Sequence, residues 1–255
     1  KRIGFAVKDS ENALKLAQDI RHYTQKQGVE LLFEESCASR LGVKGHRLQD
    51  LDVDVIVALG GDGTILRVLS AIKDTPILGI NLGTAGYLTK IEPVDWKPAM
   101  EKLLKGEYTL DEKAMIDVKV SGNAVSQALN EAVVSPSEPV KMLNFEVLVD
   151  DCTYFSARAD GIIIATPLGS TAYSLSAGGS ILDVRVPAFV ITPICPFNHG
   201  VHPVVVPQNS KITVRIIKTR RKAVVVVDGE YTMEIDPERE VTFELSDKKA
   251  SFVSL

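Results

Sequence analysis

The chain has 255 residues, of which 45% are apolar and 24% charged, and its net charge is −4. At about 150 residues per domain this is one to two domains, long enough to bury about three quarters of the unfolded surface without disulfide or metal staples. The mild acidity argues against a nucleic-acid backbone as the principal ligand.

Cys37, Cys152 and Cys195 lie far apart and, being three, cannot all pair, which suits a reducing compartment. Lys1 leads directly into an apolar run with no signal segment, so a cytoplasmic protein is expected. The uncharged stretch from Gly161 to Leu182 is too rich in Gly, Ser, Thr and Pro to span a membrane.

In chain order, Ile3 to Val7 reads as a short buried strand. Asp9 and Ser10 then offer caps for a helix that carries Ala13, Leu16, Ala17, Ile20 and Tyr23 on one face and stops at Gly28. Val29 to Phe33 is a second strand. Val55 to Leu59 is a continuous β-branched-rich run, the pattern of a strand buried on both faces. Helical spacing returns over Ile65 to Ile72, a strand over Ile77 to Ile80, and a helix over Trp96 to Leu104 closed by Gly106. Strands separated by helices predict a Rossmann-like parallel sheet.

Beyond Asp111 the pattern changes to short strands punctuated by turns: Ile116 to Val120, Phe145 to Val149, Ile212 to Ile217 and Ala223 to Val227. This spacing predicts an all-β, sandwich-like unit. The expected division is an α/β domain over residues 1–106 and a β-rich domain over 107–255, with the last strand able to return to the first domain.

The sharpest motif is Gly60-Gly61-Asp62-Gly63-Thr64, between the most buried strand and a helix. Ligands on open α/β sheets bind outside the carboxyl ends of the strands. Glycines there admit phosphate or sugar to the backbone, and the helix start offers free N–H groups to an anion. A carboxylate in such a loop repels phosphate. It suits a hydroxyl that must be hydrogen-bonded or deprotonated, or a metal; the alternative is a glycine turn in which Asp62 merely caps the helix. A Walker loop is excluded because no Gly-Lys-Ser/Thr follows. The dinucleotide fingerprint is excluded because Leu66 stands at its third glycine.

The second motif runs from Asp160-Gly161 through Thr166-Pro167-Leu168-Gly169-Ser170-Thr171-Ala172-Tyr173. There a strand ends in a hydroxyl-rich turn that opens a short helix, with small side chains and free amides able to grip a purine or a phosphate.

Together with Asn81-Leu82-Gly83-Thr84-Ala85-Gly86-Tyr87-Leu88, Asn130-Glu131, Ser174-Leu175-Ser176-Ala177-Gly178-Gly179 and Asp228-Gly229-Glu230, these segments resemble the NAD kinase family, in order and over most of the chain. Gly-Gly-Asp-Gly alone is shared with phosphofructokinases and lipid kinases; the Thr-Pro-x-Gly-Ser-Thr-Ala-Tyr-Ser segment is much narrower. The resemblance implies phosphorylation of the adenosine-ribose 2′-hydroxyl of NAD by ATP, or by another donor such as polyphosphate, to give NADP. It implies Asp62 as proton acceptor, Gly63 as the wall beside it, and Gly60, Gly61 and Thr64 as the phosphate loop. Asn130 is implied at the adenine and Glu131 at the ribose, with Thr171, Ala172 and Tyr173 lining that pocket and Ser174 and Ser176 behind them. Arg158 and Asp160 match positions near the nicotinamide end, and Arg67 and Lys141 basic positions that neutralise phosphates. Leu168, Tyr87 and Glu230 depart from the commoner Ser or Thr, Phe and Gln.

The same resemblance implies Mg²⁺ as the divalent cation, no nucleic-acid or membrane partner, and a homodimer or homotetramer with the region Asp160 to Tyr173 near a subunit contact. Two rival readings share parts of the pattern: a lipid or diacylglycerol-type kinase with the same loop, and a non-catalytic NAD(P) sensor. The lipid kinase gives no reason for Asn130-Glu131, and the sensor none for Asp62.

Cys195, His199 and His202 have spacings a transition metal uses, but Pro193, Pro196 and Pro203 interrupt them; the expectation is a buried cysteine, two loop histidines and no structural zinc. Ser170 lacks the Gly-x-Ser-x-Gly elbow of a serine hydrolase. The basic run Lys218 to Lys222 reads as a solvated hairpin tip.

Overall fold

Alternation of fully apolar runs with amphipathic segments organises the first part of the chain into strands and covering helices. The computed structural model describes every residue except Lys26, Lys73, Thr84, Ala85, His199 and 218–220. The motif positions Thr84 and Ala85, the loop histidine His199 and most of the basic run at 218–222 therefore lie outside the described residues. The chain divides into two compact units, Lys1–Lys113 with Lys249–Leu255, and Ala114–Lys248.

The first unit contains, in order, β1 (Arg2–Val7), α1 (Glu11–Thr24), β2 (Glu30–Glu34), α2 (Glu35–Leu41), β3 (Gly45–His46), β4 (Val55–Gly60), α3 (Asp62–Ala71), β5 (Ile77–Asn81) and α4 (Trp96–Lys105). The strands are parallel in the order β5-β4-β1-β2-β3, with Ile3 opposite both Val55 and Leu31 and Ile56 opposite Ile77. Every residue of β4 is buried, as its unbroken apolar run requires. Ser10 caps α1 by accepting the Ala13 N–H at 3.4 Å, and α4 ends on Gly106 at φ +78°. Ala13, Leu16, Ala17 and Ile20 of α1 join Phe5, Leu59, Met100 and Leu103 in one core. The helix α2 is too short, at seven residues, for its periodicity to stand out in sequence.

The remaining strands are β6 (Thr109–Val120), β7 (Asn123–Ala128), β8 (Glu131–Pro136), β9 (Leu143–Val149), β10 (Cys152–Ala159), β11 (Gly161–Ala165), β12 (Ala188–Ile194), β13 (Val204–Pro207), β14 (Ile212–Ile217), β15 (Ala223–Val227), β16 (Tyr231–Ile235) and β17 (Glu240–Ser254), with the one-turn helix α5 (Tyr173–Ser176) after β11. β6 starts seven residues earlier than its apolar signal, because Asp111, Glu112 and Lys113 hide the strand from hydropathy. Those charges pair with Lys90, Lys249 and each other.

The second unit is an antiparallel β-sandwich. One layer runs β13-β12-β11-β8-β15-β16, and the other contains β10, β9, β14 and the first part of β17. Val134, Ile162, Ile164, Phe189 and Val225 of the first layer meet Phe145, Val147, Val214 and Phe243 of the second in a single core. The end of β17 returns to the first unit and sets Phe252 parallel to Ile77 of β5.

Gly161 to Ser170 are buried inside the unit, and exposed large apolar side chains follow at Tyr173, Leu175, Ile181, Val184 and Val186. One expectation about this unit is corrected. Cys195 is exposed rather than buried, since it occupies a tight turn after β12 at φ +44°. Among the described residues, no helix is long and apolar enough to cross a membrane.

Candidate active site

The glycine loop sits at the carboxyl end of β4, where a parallel sheet leaves its helix-starting amides available. Gly60 ends the strand, Gly61 is the extended N-cap residue, and Asp62 is the first residue of α3. Gly60 is required by packing, because a Cβ there would lie 2.9 Å from Thr64 Cβ. Gly61 and Gly63 are different. Neither has a positive φ, and a Cβ on either would meet nothing within 4 Å. Neither close packing nor a left-handed backbone calls for glycine at these two positions.

Asp62 does not cap its own helix. Its Oδ2 accepts the Tyr87 N–H at 2.9 Å, and its Oδ1 accepts the N–H groups of Leu88 at 3.1 Å and Thr89 at 3.3 Å. The loop after β5 is anchored in turn by the Leu82 N–H on Gly60 O at 2.9 Å and by the Gly83 N–H on Asn81 Oδ1 at 3.1 Å. Three charge-assisted bonds from successive amides hold the carboxylate in one orientation.

Arg67, one and a half turns along α3, is committed elsewhere. Its guanidinium forks onto Glu34 with distances of 2.6 and 2.8 Å, and Glu34, 2% exposed, also accepts the Val7 N–H and the Ser36 hydroxyl. A buried carboxylate needs such a partner, and the pair ties α3 to β2. Neighbouring Cys37 is no nucleophile: burial, and then Glu34, push its thiol up to about 12. A separate cleft of about 460 Å³, lined by residues such as Arg21, Val29, Leu31, Val43 and His46, contains none of the predicted site residues.

In the second unit the segment Leu129–Glu131 is clamped from two directions. The Asp228 carboxylate accepts the N–H groups of Leu129, Asn130 and Glu131 at 2.7, 2.8 and 3.0 Å. On the other side Thr166 donates its hydroxyl to Leu129 O at 2.6 Å and its N–H to Asn130 O at 2.9 Å. Gly169 is obligatory, because a Cβ would lie 2.6 Å from the Asn130 Cα and closer still to its carbonyl. The Asp228-Gly229 turn, at φ +50° and +71°, aims this carboxylate. Its anchoring role was not legible in sequence, although a turn was.

The outcome is an unusual glutamate. Glu131 is 9% exposed, and its Oε2 is buried with no hydrogen-bond partner. Burial first, then the Asp228 charge, push its carboxyl up to about 7, against one N–H from Tyr173 that favours the anion. An orphaned acceptor of this kind is a ready place for a ligand hydroxyl.

The other predicted residues are distributed unevenly. Thr171 and Ala172 are half-buried in the turn and Tyr173 is exposed at the start of α5. Leu168 is buried. Ser176 and Glu230 are exposed, as are Lys141, Arg158 and Asp160; Arg158 lies over the Phe197 ring at 5.6 Å. Ser174 is fully buried with its hydroxyl 2.8 Å from that of Thr192, so it supports the turn from behind.

Comparison with known proteins identifies the family of both units. Residues 3–108 match the ATP-NAD kinase N-terminal domain and residues 129–255 the ATP-NAD kinase C-terminal domain. The NAD kinase of Methanothermobacter thermautotrophicus is 43% identical over 260 aligned residues, spanning 100% of this chain and 92% of that protein. The Thermococcus kodakarensis NAD kinase is 39% identical across 97% of this chain and 91% of its own length. Among solved structures, an NAD kinase from Archaeoglobus fulgidus in complex with ATP superposes with a TM-score of 0.82 at 32% identity, covering 99% of this chain and 93% of the other. A yeast NADH kinase complexed with NADH shares the fold at a TM-score of 0.90, 22% identity, and 100% and 83% coverage. Since the two domain models account for nearly all of the sequence, the chain belongs to the NAD kinase family.

Proposed function

We propose that the protein transfers the γ-phosphoryl group of ATP to the 2′-hydroxyl of the adenosine ribose of NAD, giving NADP and ADP. The observation that carries this reading is the Asp62 carboxylate, fixed by three amides at the end of β4 and flanked by two glycines that face open space. In the reaction a bond forms between the ribose 2′-oxygen and the γ-phosphorus as the bond from phosphorus to the β,γ-bridging oxygen breaks. The hydroxyl proton passes to Asp62 and on to solvent. In a loose phosphoryl-transfer transition state the nucleophile loses its proton late, so orientation matters more than basicity. A carboxylate held in one geometry suits that requirement.

On this reading Asn130 bonds the adenine and the orphaned Glu131 Oε2 takes a ribose hydroxyl. Thr171, Ala172 and Tyr173 line the pocket, with Arg158, Asp160, Lys141 and Glu230 at its charged margins. Mg²⁺ is assigned to the donor phosphates, in keeping with its habit of binding substrate phosphates and one or two carboxylates; among the described residues no three His, Cys, Asp or Glu side chains group as a metal site. Free thiols at Cys37, Cys152 and Cys195 support a cytoplasmic location.

The test is direct. Purified protein with NAD, ATP and Mg²⁺ is expected to produce NADP, read by an NADP-specific dehydrogenase, and excess chelator is expected to stop it. Formation of no NADP, or full turnover in chelator, would overturn the corresponding part of the reading. Polyphosphate in place of ATP tests the donor in the same assay.

We further infer a homodimer or homotetramer. Leu175, Ile181, Val184, Val186, Phe197 and Val205 of the second unit are all at least 40% exposed, more apolar surface than a solitary unit gains by showing. Light scattering at assay concentration is expected to give a multiple of the 27.7 kDa chain mass; a fully active monomer would refute this.

A further inference from the structure

We infer that the turn Gly86–Thr89 is the positioning device of the catalytic carboxylate, and that Gly86 and Thr89 set which oxygen of Asp62 meets the acceptor hydroxyl. The inference rests on the proposed reaction and deepens it. A carboxylate has about four acceptor lobes. Oδ1 receives the Leu88 and Thr89 amides and has Thr89 Oγ1 at 3.5 Å, whereas among the described residues Oδ2 receives the Tyr87 amide alone. Oδ1 is therefore saturated, and Oδ2 keeps one lobe for the hydroxyl.

Gly86 makes this geometry attainable. A Cβ at this position would overlap Asp62 Oδ1 and stand 3.0 Å from Asp62 Cγ and 2.6 Å from Thr89 Oγ1. The atoms in the way are side-chain ends, not backbone, so a methyl group displaces the carboxylate more readily than it disturbs the fold. Thr89 is 3% exposed, and its Cγ2 packs on Gly79 of β5, where a Cβ would come within 3.1 Å. The sheet thus holds Thr89, and Thr89 holds Asp62. Neither Gly86 nor Thr89 needs to touch substrate, so both are positioning residues.

The experiment compares unaltered protein, Gly86→Ala, Asp62→Asn and the double variant in the NADP-forming assay. Gly86→Ala is expected to lower kcat by about 10²-fold, the contribution of a well-placed proton acceptor, with KM for NAD and ATP changed less than about threefold. In the Asp62→Asn background the same substitution is expected to change kcat less than about threefold, because residues acting as a unit are not additive. A Gly86→Ala kcat within threefold of normal, or an equal loss in both backgrounds, would overturn the proposal. If Gly86→Ala does not fold, as judged by its melting, the Thr89 pair decides. Thr89→Val is expected to lose about tenfold in kcat, as for one hydrogen bond, and Thr89→Ser to recover most of it; equal loss in both refutes the role. Absence of NADP formation by the unaltered protein sinks the proposed reaction instead, and so separates the two failures.

Discussion

Replacing Asp62 by asparagine is expected to lower kcat for NADP formation by about 10²- to 10⁴-fold while NAD affinity changes less than about tenfold. The substitution is nearly isosteric, so the loss must come from chemistry. The amides around Asp62 demand acceptors on both oxygens, and asparagine has only one. Two amides compete for the Oδ1 position and one for Oδ2, which places the asparagine carbonyl toward Leu88 and Thr89. The amide nitrogen then replaces Oδ2, where the acceptor hydroxyl is proposed to bind. A proton donor stands where the proton must go. An NAD analogue lacking the adenosine 2′-hydroxyl is expected to bind without turning over, whereas one lacking the nicotinamide-side 2′-hydroxyl remains a substrate. Near-normal kcat in Asp62→Asn, or phosphate on the nicotinamide-side ribose, would contradict the assignment.

The second large effect is on stability and its pH dependence. The Glu131 carboxyl stands at about 7 in the folded chain against 4.5 for the ordinary group. Below pH 4.5 both folded and unfolded chains hold the proton and no linkage operates. Between those two values the folded chain keeps a proton that the unfolded chain releases, so stability falls as pH rises. Above the folded value the loss is complete, at about 3 kcal/mol using 1.36 kcal/mol per pKa unit. Glu131→Gln cannot ionise and is expected to escape this loss. Denaturant melts at pH 8 should show the variant more stable by up to about 3 kcal/mol, and melts near pH 4.5 should show the two equal. A pH-independent difference would contradict the buried, charge-strained state of Glu131. Retaining a destabilising group in this place is consistent with its use on a ligand.

Much of this molecule is written in local pattern. The strand–helix alternation of the first unit, the burial of Val55 to Leu59 on both faces, and the glycine loop at its end follow from periodicity and turn chemistry within about ten residues of each other. So do the short helix after Thr166-Pro167 and the many turns of the sandwich. The resemblance segments were likewise contiguous, which is why Asn130-Glu131 and the hydroxyl-rich turn could be singled out from residues alone.

What needed the tertiary structure is of another kind. Asp228 reaches Leu129 to Glu131 across 97 to 99 positions of sequence, and Arg67 reaches Glu34 across 33. Ser174 turns inward to Thr192, and Asp62 is gripped by amides 25 to 27 residues away. No periodicity encodes such pairs, because a side chain's partner depends on which segments the fold brings together and on where each charge escapes the cost of burial. Local pattern was enough for the strand–helix and all-β character of the two units, the loop at the end of β4 and the residue types available there. The packed structure alone shows that Arg67 pairs with Glu34, that three amides fix Asp62 and that Glu131 keeps an orphaned oxygen, since desolvation and hydrogen-bond geometry exist only once distant segments meet.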